Sequence, residues 1–136
     1  MPDTLTFEIV TPEAVQHFDS VEIVTLPGTE GRIGVYPHHM ALMTQMVPGE
    51  IMVRKDGHEV FIASGGGLIE VTSRRVSVLT DLAVQADRID EAKAEEARLR
   101  AEARLHEKLS AEEHASVNAS LARSLAQLRV KRRQRR

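Results

Sequence analysis

The residues best suited to chemistry are a histidine pair, a spaced glycine triplet, a methionine-rich run and a C-terminal cluster of cations. His38 and His39 would share a metal only if their imidazoles converged, and adjacent residues on a strand point to opposite faces. No nearby Asp or Glu extends them into a helical H-x-x-x-H or similar ligand pattern, so no metal site is expected. Ser64 and Ser73 sit in turn-like contexts with no obvious base beside them, and no carboxylate pair is spaced for acid–base work. The chain has no cysteine, which excludes thiol catalysis, a disulfide scaffold and a Cys-ligated metal. Gly28-Thr29-Glu30-Gly31-Arg32-Ile33-Gly34 is neither the dinucleotide fingerprint nor a P-loop, because a β-rich, Pro-containing stretch follows it where a helix is required. A turn with an exposed apolar tip at Ile33 is expected. The residues offer no catalytic centre and call for no cofactor.

Two features suit binding better than catalysis. Met40, Met43 and Met46 lie within seven residues, directly after Pro37-His38-His39. Methionine fills irregular cores and also makes adaptable contact surfaces; composition alone favours the core, with an interface as the alternative. Residues 131–136 carry five positive charges, and without them the chain would stand at −7 in place of −2. This tail admits three readings. It complements a helix C-terminus, reaches nucleic acid as a basic arm on a β-sandwich binding module, or docks on an acidic protein loop. The scarcity of aromatic platforms and of a second basic patch speaks against nucleic acid.

These groups must be positioned by two different architectures. All eight glycines lie at or before Gly67, all five prolines at or before Pro48, and the four aromatics Phe7, Phe18, Tyr36 and Phe61 share that half. Residues 86–129 hold no Gly, Pro or aromatic but eleven alanines. The shift predicts a β-rich unit over 1–85 and a helical unit over 86–136. Strands are expected at Leu5–Val10, Val21–Leu26, Leu68–Val71 and Val76–Leu79, with a type I′ hairpin at Asp56-Gly57 between Ile51-Met52-Val53 and Val60-Phe61-Ile62. Gly65-Gly66-Gly67 predicts a bulge or a close backbone approach. The β unit should be a sandwich or flattened barrel. Asp87 is a candidate N-cap for a first helix, and Ser110 with Glu113 forms a capping box for a second starting near Ala111. The expected apolar stripes are Ile89, Ala92, Leu99, Ala103 and Leu109 on the first helix, and Val117, Leu121, Leu125 and Leu128 on the second. An alanine-rich seam suits either a detachable two-state element or an ordinary surface hairpin. No apolar run is long enough to span a bilayer, and the opening residues resemble neither a signal nor a transit peptide.

Taken in order, several motifs resemble the ε subunits of F-type ATP synthases. They are Pro27-Gly28-Thr29-Glu30-Gly31-Arg32-Ile33-Gly34-Val35-Tyr36-Pro37-His38-His39, Leu42, Pro48-Gly49-Glu50-Ile51, Gly66-Gly67 before Glu70-Val71, Val76-Ser77-Val78-Leu79-Thr80-Asp81, Ile89-Asp90-Glu91-Ala92 and Ala126-Gln127-Leu128-Arg129-Val130. The resemblance covers essentially the whole chain. It implies an N-terminal β-sandwich, a C-terminal helical hairpin and a non-catalytic subunit of the rotating central stalk of a proton-translocating synthase. Implied partners are the γ subunit, the c-ring and the catalytic β and α subunits, with no nucleic acid. The implied location is the cytoplasmic face of a bacterial inner membrane, peripheral and held there only through the complex. By the same resemblance Gly31, Arg32, Ile33 and Gly34 touch the c-ring, while His39, Met40, Leu42 and Met43 face γ. The hairpin in such subunits extends along γ and blocks rotation in the hydrolysing direction. The matching cations are Arg123, Arg129, Lys131, Arg132, Arg133, Arg135 and Arg136. Some members bind ATP as a regulatory ligand through an Ile/Leu-Asp-x-x-Arg-Ala motif. The matching positions are Asp90 and Lys93, where lysine keeps the charge but lacks the planar fork of arginine.

Overall fold

The computed structural model describes residues 3–134. Alternation of apolar and polar residues builds its β half. In β1 (Leu5–Val10), Leu5, Phe7 and Ile9 point inward and are buried, while Thr6, Glu8 and Val10 are only partly covered. The remaining strands are β2 (Val15–Val21), β3 (Ile23–Gly28), β4 (Gly31–Val35), β5 (Leu42–Met46), β6 (Gly49–Lys55), β7 (His58–Ser64), β8 (Gly67–Val71), β9 (Arg75–Thr80) and β10 (Ala83–Gln85). They pair in the order β10-β7-β6-β3-β5-β8-β9-β1-β2, with β4 hydrogen-bonded to β3. All pairings are antiparallel except β1 with β9. The sheet folds over one core that includes Phe7, Leu26, Ile51, Ile62, Ile69 and Val78. Phe18 reaches in from β2 and stacks on Phe7, ring centroids 5.9 Å apart. The result is a β-sandwich followed by two helices, as the composition break implies.

Its two path ends meet through a glutamine. Gln16 on β2 donates to the carbonyl of Ala83 at 2.9 Å and accepts from the amide of Gln85 at 3.2 Å, both on β10. Side chains thus join the first hairpin to the last strand where no backbone pairing is recorded.

The turn chemistry acts as the residue types require. Asp56 and Gly57 both adopt positive φ, 53° and 75°, which sets the I′ turn between β6 and β7. At the triple glycine the close approach is real: a Cβ on Gly67 would collide with the carbonyl oxygen of Leu79. The expected strand Val21–Leu26 divides. Ser20 has φ 57° and the chain bends at Glu22, whose N–H already bonds the Arg54 carbonyl of β6 at 2.8 Å, so β2 ends at Val21 and β3 begins at Ile23. The spaced-glycine stretch also differs from expectation. Its tip is Thr29-Glu30, and Ile33 lies within β4 opposite Leu26, half-buried against the core. Pairing with β3 turns Ile33 and Val35 inward and leaves Arg32 and Gly34 outward.

After a 3-10 turn at Ala86–Arg88, α1 spans Glu91–Leu105 and α2 spans Ala111–Gln134. The cap of α1 is Asp90, whose carboxylate accepts from the backbone N–H of Lys93 at 3.2 Å; Asp87 lies one turn too early, inside the 3-10 turn. Ser110 caps α2 by accepting from the N–H of Glu113 at 3.2 Å.

Gly67→Ala should destabilise the sandwich by about 3 kcal/mol, because strand backbone has to move to admit the methyl. Urea denaturation of the full chain measures it.

Candidate functional site

With no catalytic grouping to examine, the surfaces that can engage a partner are the hairpin and the methionine face. The α1 side of the hairpin seam is made of small residues. Ala94 and Ala101 are the buried positions of α1, and Val117, Ser124, Ala126, Leu128 and Val130 those of α2. The stripe expected on α1 is thus rotated: Ala92 and Ala103 are exposed and Leu99 is 53% exposed. Close helix approach selects the face with the smallest side chains, and that face runs through Ala94, Ala97 and Ala101. On α2, Val117 and Leu128 are buried as expected, whereas Leu125 remains exposed. Ser124 donates its hydroxyl back to the Ser120 carbonyl at 3.1 Å, so this seam buries a polar group without leaving it unpaired.

Charge fastens α1 along its outer side. Arg98 binds Glu95 and Glu102, the latter at 2.7 Å, and Arg132 of α2 approaches Glu91 and Glu95 at 3.9 and 3.7 Å. The hydrogen bond from Arg98 holds the Glu95 carboxyl below its ordinary pKa; burial opposes this, and the charges of Arg98 and Arg132 support it.

The end of α2 lies on the sandwich. Val130 is fully buried in a cluster with Ala63, Ala86 and Ile89, against which Phe61 and Val84 pack. Most of the cations singled out in the sequence take partners here. Arg123 pairs with Asp81 at 2.8 Å. Lys131 donates to the Ala86 carbonyl at 3.2 Å. Arg133 meets Glu50 at 2.7 Å and lies over the Phe61 ring, 5.4 Å from its centroid. Arg129 is exposed on the rim of a cleft of about 470 Å³ that is also lined by Arg98, Leu125, Leu128, Arg132 and Arg133. Arg135 and Arg136 lie outside the described residues. Asp90 and Lys93 do not line that cleft; both are exposed, and their recorded contact is the helix cap.

On the sandwich, Met40 and Met43 are 82% and 63% exposed, with Leu42 beside them, while Met46 is buried. The methionine run is therefore divided between surface and core. β5 alternates, so Met46 enters the core and Met43 faces outward opposite Glu70 of β8. Leu79 of β9, half exposed, and partly covered Leu68 extend this apolar face. His38 and His39 take separate partners, the Asp3 carboxylate at 2.8 Å and the Met40 carbonyl at 2.7 Å. Arg32 donates to the Thr25 hydroxyl at 2.9 Å across the β3–β4 hairpin. Ser64 is buried and donates to the Gly49 carbonyl at 3.2 Å.

The anchors that sequence reading did not single out are Glu50, Phe61 and Asp81. A signal for Glu50 existed: it is an acid in the apolar strand Gly49–Lys55, two residues from Met52 and so on the same outward face.

Comparisons with known proteins agree over nearly the whole chain. Two family models match, that of the ATP synthase delta/epsilon chain β-sandwich domain over residues 4–86 and that of the delta/epsilon chain long α-helix domain over 87–132. Curated relatives include the ATP synthase epsilon chain of Herpetosiphon aurantiacus, 40% identical over 93% of this chain and 93% of the relative. That of Halorhodospira halophila is 41% identical over 93% and 92%. Among solved structures, a chain of the Euglena gracilis mitochondrial ATP synthase OSCP/F1/c-ring structure aligns with TM-score 0.75. It is 21% identical, covering 90% of this chain and 78% of that one. A chain of the Tetrahymena thermophila mitochondrial ATP synthase central stalk/c-ring structure gives TM-score 0.68 at 11% identity, covering 96% and 99%. At those identities the likeness is one of fold.

Two outcomes follow from the helix chemistry. Asp90→Ala should cost the start of α1 about 1 kcal/mol through the lost cap, read as reduced hairpin stability by circular dichroism. Because the Glu95 pKa is lowered in the folded state, its contribution is present above the ordinary carboxylate pKa and is lost as pH falls through the lower, folded value. Acidification below about pH 4 should therefore loosen the hairpin, and Arg98→Gln should make that part of the pH dependence shallower.

Proposed function

The chain belongs to the ATP synthase delta/epsilon chain family, and from that premise we propose that it couples γ to the c-ring and restrains ATP hydrolysis through its hairpin. It is a non-catalytic epsilon-type subunit of the synthase's central stalk. In this reading residues 1–85 are the coupling unit and residues 86–136 the regulatory one.

The observation that carries the coupling half is the apolar face of β5. Two exposed methionines at 82% and 63%, with Leu79 and partly covered Leu68 on the face of Met43, form a surface that water solvates poorly and a protein partner would cover. His39, Met40, Leu42 and Met43 are the proposed γ contacts. Gly31, Arg32, Ile33 and Gly34 are the proposed c-ring contacts. There Ile33 steadies the hairpin from inside, and exposed Arg32 and Gly34 meet the partner. A rigid strand pair suits transmission of torque better than a free loop.

The regulatory half is supported by the character of the hairpin. The α1 side of its seam relies on alanine, and its cations Arg123, Lys131, Arg132 and Arg133 are held by oxygen atoms of this same chain. Acidic loops of the catalytic β subunits, within the hexamer they form with α, would offer those cations an alternative set of partners. No helix among the described residues is long and apolar enough to cross a membrane. Peripheral attachment through the complex, on the cytoplasmic face of a bacterial inner membrane, is the corresponding placement. ATP as a regulatory ligand at Asp90 and Lys93 has weaker support, since Asp90 is occupied as a helix cap.

Deletion of residues 87–136 should leave the synthase assembled and raise its ATP hydrolysis; unchanged hydrolysis in an assembled complex rejects the inhibitory half. Met43→Glu should weaken association with γ about 30-fold, the effect of losing one well-packed anchor, in reconstitution from purified subunits. Association at the original affinity would remove the β5 face from the coupling surface.

A further inference from the structure

The geometry points to a lock between Arg133 and Glu50 that controls release of the hairpin, with Glu50 competing inside the chain for the same arginine that an acidic partner would bind. This deepens the regulatory reading above and rests on it only for what Arg133 does after release.

The argument begins with alternation in β6 and β7. Ile51 and Val53 face the core with their partners Ile62 and Val60, so Glu50, Met52, Phe61 and Ala63 face outward. An outward carboxylate on a sheet is normally solvated. Glu50 is an exception, with a side chain only 8% exposed. It lies on the side against which α2 packs, where Val130 is fully buried beside Phe61 and Ala63. Docking the helix therefore removes a carboxylate from water, which is unfavourable unless a cation follows it in.

Arg133 is that cation. It lies three residues beyond Val130, one turn along the same face of α2. Its Nε donates to Glu50 at 2.7 Å, and its guanidinium carbon lies over the Phe61 ring, 5.4 Å from the centroid. The side chain remains 52% exposed, so the pair is dry on the carboxylate side and open on the arginine side. An acidic group approaching from solvent meets the arginine first. The two bound states exclude each other, because an arginine transferred to a partner leaves Glu50 uncompensated beneath α2, and the helix must lift to hydrate it.

Arg123 and Asp81 cannot act in the same way. The Asp81 side chain is 55% exposed and stays hydrated when the helix docks, so this pair contributes little to closure. Arg132 faces Glu91 and Glu95 within the hairpin and travels with it.

The test uses the full chain, which has no cysteine of its own. Lys55→Cys and Ala119→Cys place two spin labels, one on the sandwich and one on α2. Arg133→Gln, which strands the buried carboxylate, should raise the open-to-closed ratio roughly tenfold; Glu50→Gln, which loses the pair together with its desolvation cost, should raise it less, and the double variant should open no further than Arg133→Gln. Arg133→Lys should fall between, since it keeps the charge but not the plane over Phe61. Hydrogen exchange in β6 and β7 establishes that the sandwich of each variant is folded. Unchanged label distances in folded Glu50→Gln and Arg133→Gln proteins overturn the lock. In the assembled synthase, Glu50→Gln should strengthen inhibition of hydrolysis. If the labels separate while hydrolysis stays unchanged, the lock stands and the inhibitory reading fails.

Discussion

The β6–β7 hairpin has to satisfy two neighbours at once. Its inner face, Ile51, Val53, Val60 and Ile62, belongs to the sandwich core, and its outer face, Glu50, Phe61 and Ala63, receives the end of α2. Where the pair is covered on both sides, around Glu50 and Ala63, a slip in register would expose core residues on one face and bury polar ones on the other, so its register is closely specified. The I′ turn at Asp56-Gly57 fixes that register at one end. The helical hairpin meets the sandwich at the other end, with Val130 against Phe61 and Ala63 and Arg133 brought to Glu50.

The two interfaces of the chain differ in kind. The sandwich core is made of large aliphatic side chains and two stacked phenylalanines, each burial contributing about 1.5–3 kcal/mol. The hairpin seam sets Ala94 and Ala101 of α1 against α2, whose buried side chains include Val117, Leu128 and the satisfied hydroxyl of Ser124. A unit of the first kind is suited to holding its shape under load. A unit of the second kind contributes less per residue, and its position is decided by a few specific contacts at its end.

Much of this could be read in the chain itself. The break between the two architectures, the Asp56-Gly57 turn, the Ser110 cap and the crowding at Gly67 all follow from local chemistry and appear as expected. Strands β2, β4, β5 and β10 were harder. β2 reads Val-Gln-His-Phe-Asp-Ser-Val because its exposed face is polar, β4 is interrupted by glycines, and β10 is three residues long. The rotated stripe on α1 has a different cause. Hydrophobicity alone favours Leu99 for the interior, whereas the spacing between two helices depends on the smallest side chains and so selects the alanines. The methionine run could not be resolved by composition, since only the register of β5 separates Met43 from Met46. Glu50 was legible as an oddity in an apolar strand, but its partner is 83 positions away and only the fold brings it near.

The glutamine clasp has a mechanical consequence. Gln16 ties β10 to β2 through Ala83 and Gln85, and the chain leaves the sheet only after that point. The helices touch the β unit through side chains alone, so their departure breaks no strand-to-strand hydrogen bond. The joint is the short segment between Gln85 and the Asp90 cap, downstream of the last anchored strand, and its Ala86 and Ile89 are buried with Val130 in the docked state. In the proposed release the arm would swing like a flag on a fixed post, and the glutamine clasp beneath it would stay made.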